Sequence, residues 1–453
     1  MIFNSAVFLF AFFPLVLLLF FVERLRFYRT EILLVLSLCF YAYSGVQYAI
    51  MLAAETAAVY WIVSRPDFTQ RRSMLALAIG IPMAVLIFYK YANFLLRDVL
   101  LLSDDSTGPA FRFFHDAVLP AGISFFTFEF ISFAIDRWRG KIIEVTGFSK
   151  FALYVSFFPH LVAGPILRWS DVAAPLERLR TFQLDQERAL CGFAYIIIGL
   201  GYKVLIADSL DGAIAPLREH IDGLASAGAA FVILAYSFQI YFDFYGYSLI
   251  AIGLGKLFGF DFPANFNEPY RSVSPQEFWR RWHITLSFWI RDYLYFPLGG
   301  NRNYYRNIPI IFLICGLWHG AGWNFAIWGL YHACLVVGYR LVSGPWDKMP
   351  KLLQQALTFT LVSVGWLLFA FNLPNAAAVA AQLLHGSASA VVIPAAHWAI
   401  VIIAAGICFG LNIPAIAERR HTRPALLGLS LGLLIAAVTA SLGDTKDFIY
   451  FRF

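Results

Sequence analysis

The chain has 453 residues, of which 60% are hydrophobic and 14% charged, and its mean hydropathy is +0.69. Soluble proteins carry about 25% charged residues, so this composition excludes an ordinary water-soluble enzyme and describes an all-α polytopic membrane protein. The formal net charge of +6 comes from short basic clusters between apolar runs, which argues for membrane topology and against nucleic-acid binding.

Residues 2–22 form the first apolar run. It lacks a basic leader and a small-residue cleavage site, so it is expected to stay as a span and not to be a signal peptide. Arg24, Arg26 and Arg29 follow it, and after two further runs (32–46 and 47–63) a second basic loop occupies residues 65–72. The positive-inside rule places both loops in the cytoplasm and the N-terminus outside. Residues 73–90 lead to an acidic loop with Asp98, Asp104, Asp105 and Asp116, and the run 117–135 returns to Arg137, Arg139 and Lys141.

The next segment, FALYVSFFPHLVAGPILRW, is apolar but broken at Pro159, Gly164 and Pro165, and Arg168, Arg178 and Arg180 follow it. Basic loops on both sides predict that it re-enters and does not cross, which requires packing inside protein. Runs 189–206 and 224–245 flank a loop with Asp208, Asp211, Glu219 and Asp222, and later runs cover 323–342, 352–371, 396–412 and 425–442, with a basic loop at 418–423. The expectation is about eleven transmembrane helices, counted at roughly 20 residues each, with re-entrant and interfacial helices beside them. No repeat of fixed period is present, so residues 1–453 read as one integral-membrane domain. The five cysteines (Cys39, Cys191, Cys315, Cys334, Cys408) lie in apolar surroundings without zinc or disulfide spacing and read as packing residues.

Polar residues concentrate in residues 274–324. Ser274, Pro275 and Glu277 spell a helix start with a capping box. Along a continuous helix from there, Gln276, Arg280, His283, Ser287 and Arg291 would share one face, with Phe278, Trp282, Trp289 and Tyr293 on another. The second half is an apolar helix ending at Trp318 and His319, with Gly316, Gly320 and Gly322 around the histidine and Asn324 just beyond. The glycines allow neighbouring backbone or substrate to approach closely.

An ionisable group at membrane depth is a functional candidate by default. His319 is the first candidate: a neutral imidazole with an ordinary pKa near 6.5 can take a proton from a hydroxyl, which suits acyl transfer. The plainer reading is a histidine bonded to a neighbouring helix carbonyl. The one G-x-S-x-G match, residues 428–432, lies inside an apolar run and not at a strand-to-helix elbow, so direct attack by an acceptor hydroxyl is simpler than a covalent route. His283 would orient or polarise the acyl donor, although an interfacial helix with Arg280 and Arg281 also accounts for it. Arg280, Arg281, Arg291, Arg302 and Arg306 could attract the phosphates of a nucleotide-bearing thioester, or simply form a basic inner rim. Arg280, Arg281, Arg291, Trp318 and Asn324 make up the candidate substrate-binding set beside the catalytic candidates His319 and His283, with no metal ligands. His332 and His160 read as structural, and His115, His220, His385, His397 and His421 fall in loops or span ends. Asp243 is expected to pair with an arginine of the helix starting at Ser274.

The strings EFWRRWHITLSFWIRDYLYFPLGGNR and GLWHGAGWNFAIWGLYH, with QIYFDFYGYSLIAIGLGKLFGF and NFNEPYR before them, resemble the membrane-bound O-acyltransferases. The opening MIFNSAVFLFAFFPL, LPAGISFFTFEFISFAIDRWRG, FFPHLVAGPI and the ending DFIYFRF extend the likeness over nearly the whole chain. Within the family the chain is most similar to the bacterial branch of alginate O-acetylases and peptidoglycan or cellulose acetylation proteins. The resemblance implies that His319 is the catalytic histidine and His283 the second signature histidine, in a ring of tilted helices around a central tunnel. It also implies acetyl-CoA as cytoplasmic donor, with no tightly bound cofactor. The acetyl group would leave on the periplasmic side of the bacterial inner membrane, where a separate acetyltransferase or acyl-carrying partner places it on polysaccharide hydroxyls. A D-alanyl-transferring relative acting on teichoic acid is the near alternative, against which the LGGNR string argues. A non-enzymatic polysaccharide transporter or export scaffold is the alternative from another class, and the absence of internal repeats argues against it.

Overall fold

The computed structural model describes residues 1–101, 118–385, 393–414 and 424–441, together with 446, 448 and 449. Asp104, Asp105, Asp116 and His115, the basic loop 418–423 with His421, and all of the closing DFIYFRF string except Phe448 and Ile449 lie outside the described residues. Those described are helical or irregular, with no strand among them. They form two compact units, residues 1–193 with 251–263 and residues 194–250 with 264–453.

In the first unit, helices α1 (Phe13–Phe21) and α2 (Arg29–Ala42) belong to two apolar stretches that meet at 96°. Arg29, expected as part of a basic loop, is buried at this bend, where it donates to the carbonyls of Phe20, Leu179 and Phe182. Helices α3 (Val46–Val63), α4 (Arg72–Leu86) and α5 (Ile123–Trp138) follow. The segment predicted to re-enter consists of α6 (Phe148–Ser156) and the four-residue α7 (Phe158–Leu161), separated by extended Phe157. Its irregular backbone is buried in protein, as a membrane requires: the Phe158 N–H donates to Ser37 Oγ at 3.1 Å, and buried His160 places Nδ1 3.0 Å from Glu129 Oε1. Helix α8 (Trp169–Arg178) closes this part of the chain.

Two long helices, α9 (Gln186–Leu200) and α11 (Ser226–Leu257), have residues in both units. Between them a π-helical stretch, Gly201–Ala207, and α10 (Asp208–Glu219) continue the apolar run of α9. The second unit then contains α12 (Pro275–Arg281), α13 (Ile284–Ile290), α14 (Tyr304–His319), α15 (Trp323–Trp346), α16 (Lys351–Ala370), α17 (Leu373–His385), α18 (Ala395–Gly410) and α19 (Pro424–Ala440).

Six of the described helices are long and apolar enough to cross a membrane, or up to seven if the bent pair counts as one span. The sequence count of about eleven at roughly 20 residues each also took in shorter apolar helices, such as the 16-residue α5 and α18.

Helices α14 and α15 pack backbone to backbone. A Cβ on Gly316 would stand 2.2 Å from the Phe325 carbonyl oxygen, and one on Gly329 would stand 2.1 Å from that of Phe312. Only glycine allows this approach, and it fixes the end of α14 that carries His319.

Two expectations are corrected here. The helix from Ser274 is not continuous: α12 ends at Arg281 and α13 begins at Ile284, with His283 between them in the left-handed region at φ 45°. Asp243 does not pair with an arginine of that helix; its Oδ1 lies 2.7 Å from Lys203 Nζ.

Candidate active site

Ser274 Oγ accepts from the Glu277 N–H at 3.1 Å, and Glu277 Oε2 accepts from the Val273 N–H at 2.8 Å, so the N-terminus of α12 is capped much as its sequence predicts. The C-terminus is where sequence pattern fails. Residues 265–267 run alongside the break and take up its backbone groups: the Asn267 N–H donates to the Arg281 carbonyl and the Ile284 N–H donates to the Asn265 carbonyl, both at 2.9 Å. Those bonds satisfy helix-end groups that would otherwise be orphaned. They also hold His283 in a left-handed conformation, which a non-glycine residue adopts only under such constraint.

The break does not scatter the predicted polar face. Gln276, Arg280, His283, Ser287 and Arg291 all line one cavity of about 320 Å³, joined by Trp279, Tyr295, Asn301, Tyr304 and the apolar face of α14 from Ile308 to Cys315. That volume lies at the lower end of the range for small-molecule sites, roughly 300–1,000 Å³.

His283 is 1% exposed. Its Nδ1 lies 3.1 Å from Asn265 Oδ1, which also accepts from the Thr285 N–H at 3.3 Å and from Thr285 Oγ1 at 2.9 Å. Because a backbone N–H points at this atom of Asn265, the atom is an oxygen, and the histidine nitrogen facing it must donate. The proton therefore sits on Nδ1, and Nε2 presents a lone pair with no hydrogen-bond partner among the described residues. His283 lies outside the membrane-spanning helices, and burial lowers its pKa to about 3, so it is neutral at working pH. A neutral imidazole in this tautomer accepts hydrogen bonds and cannot polarise a carbonyl by donating to it. Two other cavity residues carry buried polar atoms without a hydrogen-bond partner among the described residues, Trp279 Nε1 and Tyr304 Oη.

His319 is 3% exposed and is not part of the cavity lining. Its ring centroid is 6.4 Å from that of His283, so the two histidines, 36 residues apart in sequence, are neighbours in space. Trp318, Trp328 and Phe369 surround it with centroids at 4.9, 5.2 and 5.3 Å. Trp318 also stands 6.0 Å from the His283 ring.

The remaining predicted residues divide into two groups. Arg280 is exposed at the cavity and makes no ion pair or hydrogen bond among the described residues, whereas Arg291 lies along Asp292, with Nε and Nη2 at 2.6 and 3.1 Å from its carboxylate. Arg281 is turned to Glu277, with Nε and Nη2 at 2.9 and 2.7 Å from Oε1, and is not part of the lining. Asn324 donates to the Leu368 carbonyl at 3.0 Å and so ties α15 to the end of α16. His332 is buried with centroids of Trp279 and Trp328 at 5.0 and 4.9 Å. Sequence reasoning missed Asn265, Trp279 and Tyr304. Asn265 opens the string NFNEPYR, but Asn267, Glu268 and Arg271 stand beside it and nothing in the spacing singles it out as the partner of His283.

The chain matches the membrane-bound O-acyltransferase family over residues 19–378. It is 42% identical over 384 residues to a probable alginate O-acetylase of Azotobacter vinelandii, covering 82% of this chain and 75% of that one. It is 36% identical over 417 residues to a peptidoglycan O-acetyltransferase of Helicobacter pylori, covering 83% and 78%. A teichoic acid D-alanyltransferase of Bacillus subtilis is 29% identical over 275 residues, covering 56% and 69%. The chain therefore belongs to the membrane-bound O-acyltransferase family and is an O-acyltransferase.

Proposed function

We propose that the chain takes an acetyl group from a cytoplasmic thioester, acetyl-CoA, and passes it across the bacterial inner membrane for O-acetylation of an extracytoplasmic polysaccharide. An alginate-like exopolysaccharide is favoured over peptidoglycan by the higher identity to the probable alginate O-acetylase, with cellulose as a further candidate acceptor. The whole chain acts as one acyltransferase domain, and a periplasmic acetyltransferase or acyl-carrying partner receives the acetyl group.

The observation that carries this reading is the cavity of about 320 Å³ in which neutral His283 stands among Trp279 Nε1 and Tyr304 Oη, with His319 one ring away. Arg280 attracts the donor phosphates, and Gln276 and Arg291 share its side of the cavity. His283 Nε2 accepts from an N–H of the donor arm and so orients it. His319 removes the proton of the acceptor hydroxyl as its oxygen attacks the thioester carbon. The C–S bond breaks, the acetyl group becomes an ester, and the proton held by His319 returns to the leaving thiolate.

Inverted membrane vesicles, with the cytoplasmic face outward, test the reading. Radiolabelled acetyl-CoA added outside should label an acceptor polysaccharide enclosed with the partner protein inside. Label transfer from a D-alanyl donor, with none from acetyl-CoA, would overturn it in favour of the teichoic acid branch.

A further inference from the structure

The second unit contains a buried group of charges that the chemistry above does not use. Helices α9 and α11 cross at paired glycines: a Cβ on Gly199 would lie 2.5 Å from the Gly246 carbonyl oxygen, and one on Gly246 would lie 2.7 Å from that of Gly199. The crossing brings Lys203, in the π-helical stretch after α9, against Asp243 of α11. Lys203 Nζ lies 2.7 Å from Asp243 Oδ1 and 2.7 Å from Asp208 Oδ1, with side-chain exposures of 2%, 3% and 6% for the three residues. Two carboxylates on one ammonium leave an excess negative charge in an apolar run, which is costly unless the other carboxylate oxygens find donors.

Those donors are main-chain N–H groups from one short segment near the end of the chain. Asp243 Oδ2 accepts from the Ile449 N–H at 2.6 Å, and Asp208 Oδ2 accepts more weakly from the Lys446 N–H at 3.4 Å. Phe448, fully buried between these two contacts, sets its ring 4.4 Å from that of Tyr247 and 5.8 Å from that of Phe244. Phe244 in turn stands edge-on to His283 at 4.7 Å, with the rings at 89°.

We propose that Lys203, Asp208 and Asp243 form a socket that seats Lys446 and Ile449 by their backbone N–H groups, and that Phe448, held with them, keeps Phe244 against His283. Asp208 and Asp243 meet this segment through its backbone, each giving one oxygen to the lysine and the other to a peptide N–H, while the Phe448 ring packs on Tyr247 and Lys446 Nζ lies 3.4 Å from Asp211 Oδ2. Asp243 is then a positioning residue that acts on His283 through Phe448 and Phe244.

The test separates seating from the buried ion pair itself. Proline at position 449 removes the N–H that Asp243 accepts and leaves the three charged side chains intact. In full-length protein in nanodiscs, hydrogen–deuterium exchange of the peptide covering 446–449 should quicken roughly ten- to a hundredfold in Ile449→Pro and Asp243→Asn, the worth of one hydrogen bond to a charged group. Exchange in α3 should not change. Ile449 is 2% exposed, so Ile449→Ala, which keeps the N–H but deletes the same buried side chain, is the baseline that Ile449→Pro should exceed by the lost hydrogen bond. Acetyl transfer should show lowered kcat at unchanged donor KM in Ile449→Pro and Asp243→Asn, with no further loss when the two are combined. Wild-type exchange and wild-type kcat in Ile449→Pro would overturn the proposal. So would a loss in Asp243→Asn that Ile449→Pro does not share, because the charges would then serve only to join α9 to α11. The exchange measurement does not depend on which acyl group is transferred, so its failure is distinct from failure of the acetyl-transfer reading.

Discussion

Replacing Asn265 with alanine removes the acceptor shared by His283 Nδ1, the Thr285 N–H and Thr285 Oγ1 in a site where Asn265 is 1% exposed. Fixing the Nδ1–H tautomer through one neutral hydrogen bond is worth about 0.5–1.5 kcal/mol, which corresponds to roughly a two- to thirteenfold preference for the lone pair on Nε2. Asn265→Ala should therefore lower the rate of acetyl transfer by about that factor. It should also cost about 1–3 kcal/mol in stability for each donor left without a partner, less where water enters the space. Asn265→Asp keeps an oxygen where Oδ1 stands and should recover most of the rate, although it adds a buried charge. The assay is single-turnover transfer from labelled acetyl-CoA in detergent-solubilised protein, with thermal unfolding followed alongside. A wild-type rate in Asn265→Ala would refute the tautomer argument. Equal inactivity of the Ala and Asp variants, with both folded, would also refute it, because the acceptor oxygen would then not be what matters.

Two further outcomes follow from the geometry. Gly329→Ala places a Cβ 2.1 Å from the Phe312 carbonyl oxygen, so α14 must shift; overpacking of this kind costs about 1–3 kcal/mol, and the variant should show a lowered melting temperature and reduced transfer. Ala at Gly338, where a Cβ meets nothing within 4 Å, is the silent control. Arg280→Gln should raise the donor KM several-fold and leave kcat nearly unchanged, while Arg281→Gln, already paired with Glu277, should affect the donor little. Initial-rate kinetics over a range of acetyl-CoA concentrations reads both.

The parts of this protein that were legible in its sequence are those set by local pattern. Ser274, Pro275 and Glu277 announced a capped helix, and the spacing of Gln276, Arg280, His283, Ser287 and Arg291 identified five residues that do line one cavity. Pro159 and Gly164 marked the broken, buried segment around His160. The break at His283 was not legible, because neither Trp282 nor His283 is a helix breaker. The left-handed turn is imposed by hydrogen bonds from residues 265–267, which lie before the helix in sequence. Asp243 was assigned to the wrong partner for a similar reason: Lys203 reaches it only because Gly199 and Gly246 let two helices touch, and no periodicity within either helix reports that crossing. The nearness of His283 and His319 is likewise a product of tertiary packing, with the glycines between α14 and α15 as its only trace in the chain.

The central claim is that His319 serves as the base for acyl transfer, beside a His283 that orients the donor. The most direct measurement is acetyl transfer by His319→Ala in membranes that contain the variant at wild-type level, with acetyl-CoA binding measured on the same preparation. The account predicts that transfer falls by roughly a hundred- to ten-thousandfold, the usual contribution of a positioned base, while donor binding stays within about twofold of wild type, well under the roughly 1.4 kcal/mol that a tenfold change represents. Transfer at the wild-type rate in that variant would contradict it.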